Sequence, residues 1–173
     1  MEYILSQISG AIALILVCIS YFCKKKSGFL ILQIFADLFY AGSYLLINIY
    51  VAGIITIISA IRCIVFYICE KKNFKYTIWT LPVFILGYSA CCIIFWQGLG
   101  DLVPLITCTL FTIGYVLKNV QAIRFMSLAP NLMLVIYNIF CTTYTNALLD
   151  SIELIVVVVA IITHIKQTHK EKL

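Results

Sequence analysis

Charged residues and prolines are scarce in this sequence. Only 11% of its 173 residues are charged and 3 are proline, whereas about 25% of the residues in an average soluble domain are charged. Hydrophobic residues make up 64% of the chain, well above the roughly 45–50% of such a domain. A soluble globule of this size could not bury that much apolar surface. The composition and its long apolar runs therefore predict an all-α integral membrane protein.

The sequence also lacks the motifs HExxH, GxSxG and GxGxxG and the P-loop, so we predict no catalytic residues and no bound cofactor. It has 8 cysteines, but they show no paired spacing of the kind that binds metals. Most of them lie inside apolar runs, where cysteine acts as a small packing residue: Cys18, Cys63, Cys91, Cys92, Cys108 and Cys141. We therefore expect no metal site.

Charged residues and turn residues divide the chain into seven apolar segments. A membrane-spanning helix needs about 20 predominantly apolar residues, and each segment approaches that length. The predicted spans are Ile4–Cys23, Phe29–Asn48, Tyr50–Cys69, Ile78–Trp96, Leu102–Leu117, Phe125–Thr142 and Ala147–Ile165.

The basic residues outside the predicted spans all fall on one side of this seven-span arrangement. Alternate loops hold Lys24, Lys25 and Lys26, then Lys71, Lys72 and Lys75, then Lys118 and Arg124, then Lys166, Lys170 and Lys172. The N-terminus and the turns around Asn48, Gly98 and Asn146 contain no lysine or arginine. Because these residues accumulate on the cytoplasmic side, we expect an external N-terminus and a cytoplasmic C-terminus. The net charge of +5 then reflects topology, and we expect no nucleic-acid partner.

The first three segments resemble the last three when the chain is shifted by about 94 positions, as in transporters built from internal repeats. Polar residues of segment 2 then fall on polar residues of segment 6: Gln33, Asp37, Tyr44 and Asn48 on Ser127, Asn131, Asn138 and Thr142. Likewise Thr56 and Ser59 fall on Asp150 and Glu153. We predict a single transmembrane domain over 1–173, in which parallel repeats 4–70 and 101–166 are joined by connector helix 78–96. The other interpretation is that these matches arise by chance, because a mostly apolar chain uses few residue types.

Four ionisable residues lie within the predicted spans: Asp37, Arg62, Asp150 and Glu153. Such groups cost about 2.5–3.5 kcal/mol each on insertion scales, so they face the bundle interior and usually have partners. Counted from the cytoplasmic face, Arg62 is about 12 Å deep, Asp37 about 15 Å and Glu153 roughly 18 Å. We therefore expect Arg62, the sole basic residue placed inside a span, to pair with Asp37 or Glu153.

Two interpretations of these buried polar residues remain open. In the first they line a substrate site together with neighbouring tyrosine and asparagine side chains: Asp37, Tyr40, Tyr44, Arg62, Asn131, Asn138, Asp150 and Glu153. In the second they only hold the helices together through salt bridges and hydrogen bonds.

Three stretches carry a resemblance to a known family: ADLFYAGSYLLINIYVAGIITIISAIRCIVFY, LGDLVPLITCTLFTIGYVLKNVQAIR and PNLMLVIYNIFCTTYTNALLDSIELIVVVVAIITHIK. Over most of the chain they resemble the YgjV family of small bacterial inner-membrane proteins. The residues that carry the match include Arg62, Pro104, Tyr137, Asn138 and Glu153. The three-plus-one-plus-three plan is similar to that of the SWEET sugar transporters and the PnuC vitamin-nucleoside transporters. The resemblance implies facilitated diffusion through a midplane site.

The leading hypothesis is a carrier in the bacterial inner membrane for a nucleoside, vitamin or sugar-like solute. Its expected partners are the lipid bilayer and that small polar solute, and a homo-oligomer is compatible with the sequence. A non-transporting structural or sensory membrane module is the main alternative, and an intramembrane enzyme comes third.

Overall fold

The computed structural model describes residues 2–72, 77–96, 98–140 and 144–170, and within these ranges every element is a helix. The predicted loop residues Lys75 and Lys172, the packing residue Cys141 and the predicted helix end Thr142 lie outside them. The α-helices are α1 (Glu2–Tyr21), α2 (Lys26–Leu46), α3 (Tyr50–Lys71), α4 (Leu81–Ile94), α5 (Leu102–Val116), α6 (Val120–Phe140) and α7 (Tyr144–Lys170). Short 3-10 turns, Thr77–Thr80 and Leu99–Asp101, precede α4 and α5.

Six stretches of the described chain are helical, long and apolar enough to cross a membrane, judged by length and composition: Tyr3–Tyr21, Lys26–Leu46, Tyr50–Lys71, Leu99–Val116, Val120–Phe140 and Ala147–Gln167. The remaining predicted span, Ile78–Trp96, contains the shorter apolar helix α4 of 14 residues. At 1.5 Å per residue α4 is about 21 Å long, against a hydrocarbon core of about 30 Å. The prediction of a multi-pass helical membrane protein is confirmed, and its fourth segment is shorter than predicted.

The connection between α2 and α3 is the tight turn that the sequence predicts around Asn48. Asn48 has a positive φ of 61°, a left-handed conformation that asparagine adopts more readily than most residues. Its side-chain Oδ1 accepts a hydrogen bond of 2.8 Å from the hydroxyl of Tyr50. Beyond the turn the helices approach closely, because a Cβ atom on Gly53 would lie only 2.8 Å from Leu45 Cδ2. The turn and this glycine therefore set α3 tightly against α2.

Helix packing places two groups of three helices side by side. Helix α2 packs against α1 and α3, and α6 packs against α5 and α7. The groups meet where α1 contacts α7 and α3 contacts α5, while α4 covers α3 and α5. Large side chains at these contacts are fully buried, including Tyr21, Phe29, Phe66 and Tyr88. Many isoleucine and leucine side chains point outward from the helices, as expected for surfaces that face lipid.

Helix α6 begins earlier than predicted. The sequence places Arg124 in a cytoplasmic loop and starts the span at Phe125, but α6 starts at Val120. Arg124 therefore lies inside the helix, where it is only 3% exposed. Its guanidinium donates to the Oε1 atom of Gln121 at 2.8 Å and to the backbone carbonyl of Cys23 at 3.2 Å. Arg62 is thus not the sole basic residue buried within the helices, since Arg124 and Lys26 are buried as well.

Candidate functional site: a polar cavity between the helix groups

A cavity of about 220 Å³, which we call the central cavity, lies between the two groups of helices. All eight residues singled out from the sequence line it, and they come from α2, α3, α6 and α7: Asp37, Tyr40, Tyr44, Arg62, Asn131, Asn138, Asp150 and Glu153. The cavity is somewhat smaller than the roughly 300–1,000 Å³ of typical small-molecule sites. It is large enough to hold several water molecules, so a solute that fits it must be small.

Arg62 points from α3 towards α5. Its Nη1 donates a hydrogen bond of 3.0 Å to Thr112 Oγ1 and one of 3.4 Å to the carbonyl oxygen of Cys108. The guanidinium carbon also lies 4.6 Å from the centre of the Tyr115 ring, a cation–π distance. Its Nε has no hydrogen-bond partner within the described part of the chain. Arg62 is therefore held by neutral groups of α5, with one donor left over.

The predicted direct ion pair between Arg62 and a carboxylate is absent from the described residues, where the ion pair found is Lys26–Glu70 at 3.6 Å. The thiol of Cys63 stands between Arg62 and Asp37 instead. Arg62 Nη2 donates to Cys63 Sγ at 3.6 Å, and Cys63 Sγ donates to Asp37 Oδ2 at 3.6 Å. The prediction of direct pairing is wrong because depth along a helix does not specify the side-chain direction that turns Arg62 towards α5.

Glu153 is held at the interface between α1, α6 and α7. Its Oε1 accepts a hydrogen bond of 3.0 Å from the hydroxyl of Tyr21 and one of 3.1 Å from Asn131 Nδ2. A few residues earlier in α7, Asp150 Oδ2 accepts a hydrogen bond of 2.6 Å from Asn138 Nδ2. The two carboxyl groups of α7 are therefore each bound by an asparagine of α6.

Two tyrosines of α2 form one wall of the cavity. The rings of Tyr40 and Tyr44 are stacked, with their centres 6.4 Å apart. The buried hydroxyl of Tyr40 has no hydrogen-bond partner in the described residues. A buried hydroxyl without a partner costs free energy, so Tyr40 brings an unsatisfied polar group to the wall of the cavity.

Helix α5 contributes a face that the sequence analysis did not assign to the site. Five of its residues line the cavity: Pro104, Thr107, Cys108, Phe111 and Tyr115. Their positions follow the pattern i, i+3, i+4, i+7 and i+11 of one helical face. This periodicity is present in the sequence, but threonine, cysteine and aromatic residues are common at ordinary packing contacts between membrane helices. That this face lines the cavity is therefore recognisable only from the tertiary structure, in which the other helices pack against it.

The two ends of the cavity differ. Its lining extends to Ile49 at the α2–α3 turn, and Ile49 is 38% exposed. Towards the lysine-rich end of the bundle lies a layer of buried rings, formed by Tyr21, Phe29 and Tyr115. Ring centres are 5.8 Å apart for Tyr21 and Phe29 and 5.3 Å apart for Phe29 and Tyr115. We call these three residues the aromatic layer, and we infer that it closes the cavity at that end.

Among the described residues, no group of three or more histidine, cysteine, aspartate or glutamate side chains is arranged to hold a metal ion.

A family model described as a bacterial inner membrane protein, Imp-YgjV, matches residues 4–168 of the chain. No curated protein and no solved structure matches the chain.

Proposed function

The chain belongs to the Imp-YgjV family of bacterial inner membrane proteins, and we propose that it carries a small polar solute through the cavity between its two helix groups. The observation that carries this proposal is the cavity itself, in which ionisable residues from α2, α3 and α7 meet. Ionisable residues inside membrane helices are costly and characteristically mark substrate pathways.

Unused hydrogen-bonding groups favour a binding site over a purely structural cluster. If these polar residues only fastened helices together, each would be expected to find a protein partner. The Tyr40 hydroxyl and the Arg62 Nε have none in the described residues, although both residues line the cavity. A solute that accepts hydrogen bonds from these two groups would remove the cost of leaving them unpaired.

The lining also suggests the chemistry of the solute. Three acids, Asp37, Asp150 and Glu153, outnumber the basic Arg62, so the cavity favours a solute with several hydroxyl, amide or amine donors. Aromatic side chains, including Tyr40, Phe111 and Tyr137, provide surfaces for a flat or ring-shaped group. A nucleoside, a vitamin or a sugar-like compound combines these features in a small volume.

The arrangement of the helices supports a two-repeat carrier similar in plan to the SWEET and PnuC transporters. Under the shift of about 94 positions, α1, α2 and α3 correspond to α5, α6 and α7. The contact between α1 and α7 then corresponds to the contact between α5 and α3. Tyr21 and Tyr115 are equivalent positions, and each contacts a charged residue of the opposite group, Glu153 and Arg62 respectively.

We further propose that the cavity opens towards the outside. The lysine-rich end of the bundle is cytoplasmic by the distribution of basic residues, which places the N-terminus outside and the C-terminus inside. The aromatic layer then lies on the cytoplasmic side of the cavity, and Ile49 lies at its external end. Transport would require the two helix groups to rock, so that the layer opens as the external end closes.

Transport by the purified protein tests this function. A panel of nucleosides, B vitamins and sugars is first screened for compounds that raise the melting temperature of the protein in nanodiscs. Each hit is then measured as a radiolabelled solute entering proteoliposomes. We expect uptake that saturates and is lost in Glu153→Gln, which removes the carboxyl group and keeps a carbonyl acceptor for Tyr21 and Asn131. The control Glu70→Gln removes an acid outside this cavity and should retain uptake.

A non-transporting structural or sensory module is the second candidate. The hydrogen bonds from Arg62 to Thr112 and Cys108 favour it, because they tie α3 to α5 without any solute. Absence of both stabilisation and uptake across the panel, in protein shown to be folded, would favour this module over the carrier.

A further inference from the structure

A second cavity, of about 380 Å³, lies at the lysine-rich end of the bundle. Its lining residues come from the α1–α2 and α5–α6 connections and the nearby helix ends: Lys24, Lys25, Lys26, Ser27, Glu70, Lys118, Asn119, Val120, Arg124 and His164. We call it the basic cavity, because five of these residues are lysine or arginine and Glu70 is its one acidic residue. The aromatic layer lies between it and the central cavity, since Phe29 follows Lys26 and precedes Gln33 in α2.

Arg124 is the unusual residue of the basic cavity. It is only 3% exposed, yet its hydrogen bonds go to neutral acceptors, Gln121 Oε1 and the carbonyl of Cys23. Its buried Nε has no partner in the described residues. A buried charge is costly unless a nearby opposite charge compensates it. Glu70 does not serve Arg124 in this way, because Glu70 pairs with Lys26 at 3.6 Å.

The N-terminus of α2 adds to the positive potential. This helix of 21 residues begins at Lys26, and Lys25 at its N-cap makes no side-chain cap hydrogen bond. The first backbone N–H groups of a helix lack partners within the helix and carry a partial positive charge, so they favour anions. Ser27 in this first turn also lines the basic cavity, and its hydroxyl is a further donor.

We propose that the basic cavity binds a phosphate group, with Arg124 as its principal ligand and Lys25, Lys118 and Ser27 around it. A guanidinium binds phosphate oxygens through parallel N–H bonds, and the Nε of Arg124 is a donor that has no partner in the described residues. The same chemistry is offered by the headgroup of an anionic phospholipid and by a free phosphate in the cytoplasm. This site is separate from the central cavity and does not depend on transport.

Binding assays with two probes test the site and distinguish the two sources. Delipidated protein in detergent is titrated with inorganic phosphate at constant ionic strength, and its melting temperature is followed. Protein in nanodiscs of phosphatidylcholine is compared with protein in nanodiscs that also contain phosphatidylglycerol. Stabilisation by phosphate identifies a site open to free phosphate, and stabilisation by phosphatidylglycerol alone identifies a headgroup site. Stabilisation by neither probe overturns the proposal.

Single-charge variants show whether Arg124 is the ligand. Arg124→Gln should weaken binding of the effective probe about tenfold or more, the loss expected for a hydrogen bond to a charged group. Lys71→Gln removes one charge from the exposed end of α3, outside the basic cavity, and should leave binding within about twofold. If Arg124→Gln does not fold, the exposed Lys25→Gln takes its place and should weaken binding. If Lys71→Gln weakens binding as much as Arg124→Gln, or as much as Lys25→Gln where that variant is used, the loss reflects general surface charge. That result would overturn the proposal.

Discussion

Cys63 links the two opposite charges of α2 and α3, because its thiol accepts a hydrogen bond from Arg62 and donates one to Asp37. Both contacts are 3.6 Å long. The side chain is fully buried, so solvent cannot replace it. A residue that the sequence assigns to simple packing therefore links two residues that line the cavity.

Replacing Cys63 should disturb the contacts that link Arg62 to Asp37. Cys63→Ala leaves Asp37 without this donor, and we expect a loss of about 1–3 kcal/mol in the free energy of unfolding. Cys63→Ser should recover most of the loss, since a hydroxyl is a better donor and acceptor. Thermal unfolding in nanodiscs measures both variants. Cys91→Ala removes a buried thiol away from the cavity, and an equal loss there would show that only packing matters.

Arg62→Gln distinguishes a working site from a structural one. Removing the guanidinium leaves Thr112 and Cys63 without their Arg62 donor and takes away the positive charge linked to Asp37 through Cys63, so we expect a loss of about 1–3 kcal/mol in the free energy of unfolding. Adding Asp37→Asn should return part of the stability, because no charge is then left alone. Solute binding should stay lost in both variants. Binding that remains intact in the stable double variant would remove Arg62 and Asp37 from the proposed solute site.

Two tyrosine-to-phenylalanine variants should behave oppositely. Tyr21→Phe removes the hydrogen bond to Glu153 and should lower the free energy of unfolding by about 1–2 kcal/mol. Tyr40→Phe removes a buried hydroxyl that has no partner in the described residues, so stability should be unchanged or slightly higher. We expect Tyr40→Phe to weaken solute binding instead. Calorimetry of both variants, with and without the solute identified in the screen, checks this. Lower stability for Tyr40→Phe would indicate a structural role for its hydroxyl.

Cys108 is a built-in probe of access to the central cavity, which it lines. In a variant whose other cysteines are replaced, a membrane-impermeant cationic thiol reagent should label Cys108 from outside but not from the cytoplasm. A matched variant that retains only Cys63, which is fully buried, should label slowly from either side. Adding Phe29→Ala should open the aromatic layer and permit labelling from the cytoplasm. Equal labelling of Cys108 from both sides before that change would contradict a closed layer.

Reporter fusions test the orientation of the chain. Fusions after Lys72 and after Lys166 should report the cytoplasm, and a fusion after Gly98 should report the outside. The expected pattern follows from the one-sided distribution of lysine and arginine. It also requires α4, although short, to cross the membrane. A cytoplasmic signal at Gly98 would show that α4 does not cross.

Apolar runs and turn residues in the sequence already determine most of the helices and the α2–α3 turn. These features act locally, since a spanning helix satisfies its own backbone hydrogen bonds and Asn48 accepts a left-handed turn. Eight of the polar residues around the central cavity are likewise recognisable from the sequence, because burying them in a membrane is costly wherever the helices lie.

Only the tertiary structure decides which partners those residues meet. Arg62 turns to Thr112 on α5, and Arg124 reaches the carbonyl of Cys23, although 101 residues separate them in the chain. The aromatic layer likewise joins rings from α1, α2 and α5. Helical periodicity specifies which residues share a face of one helix, but not which helix that face meets or how far a long side chain extends. The sequence therefore shows which ionisable residues lie within the predicted spans, whereas the contacts of these residues, and the burial of Arg124, depend on how the helices pack.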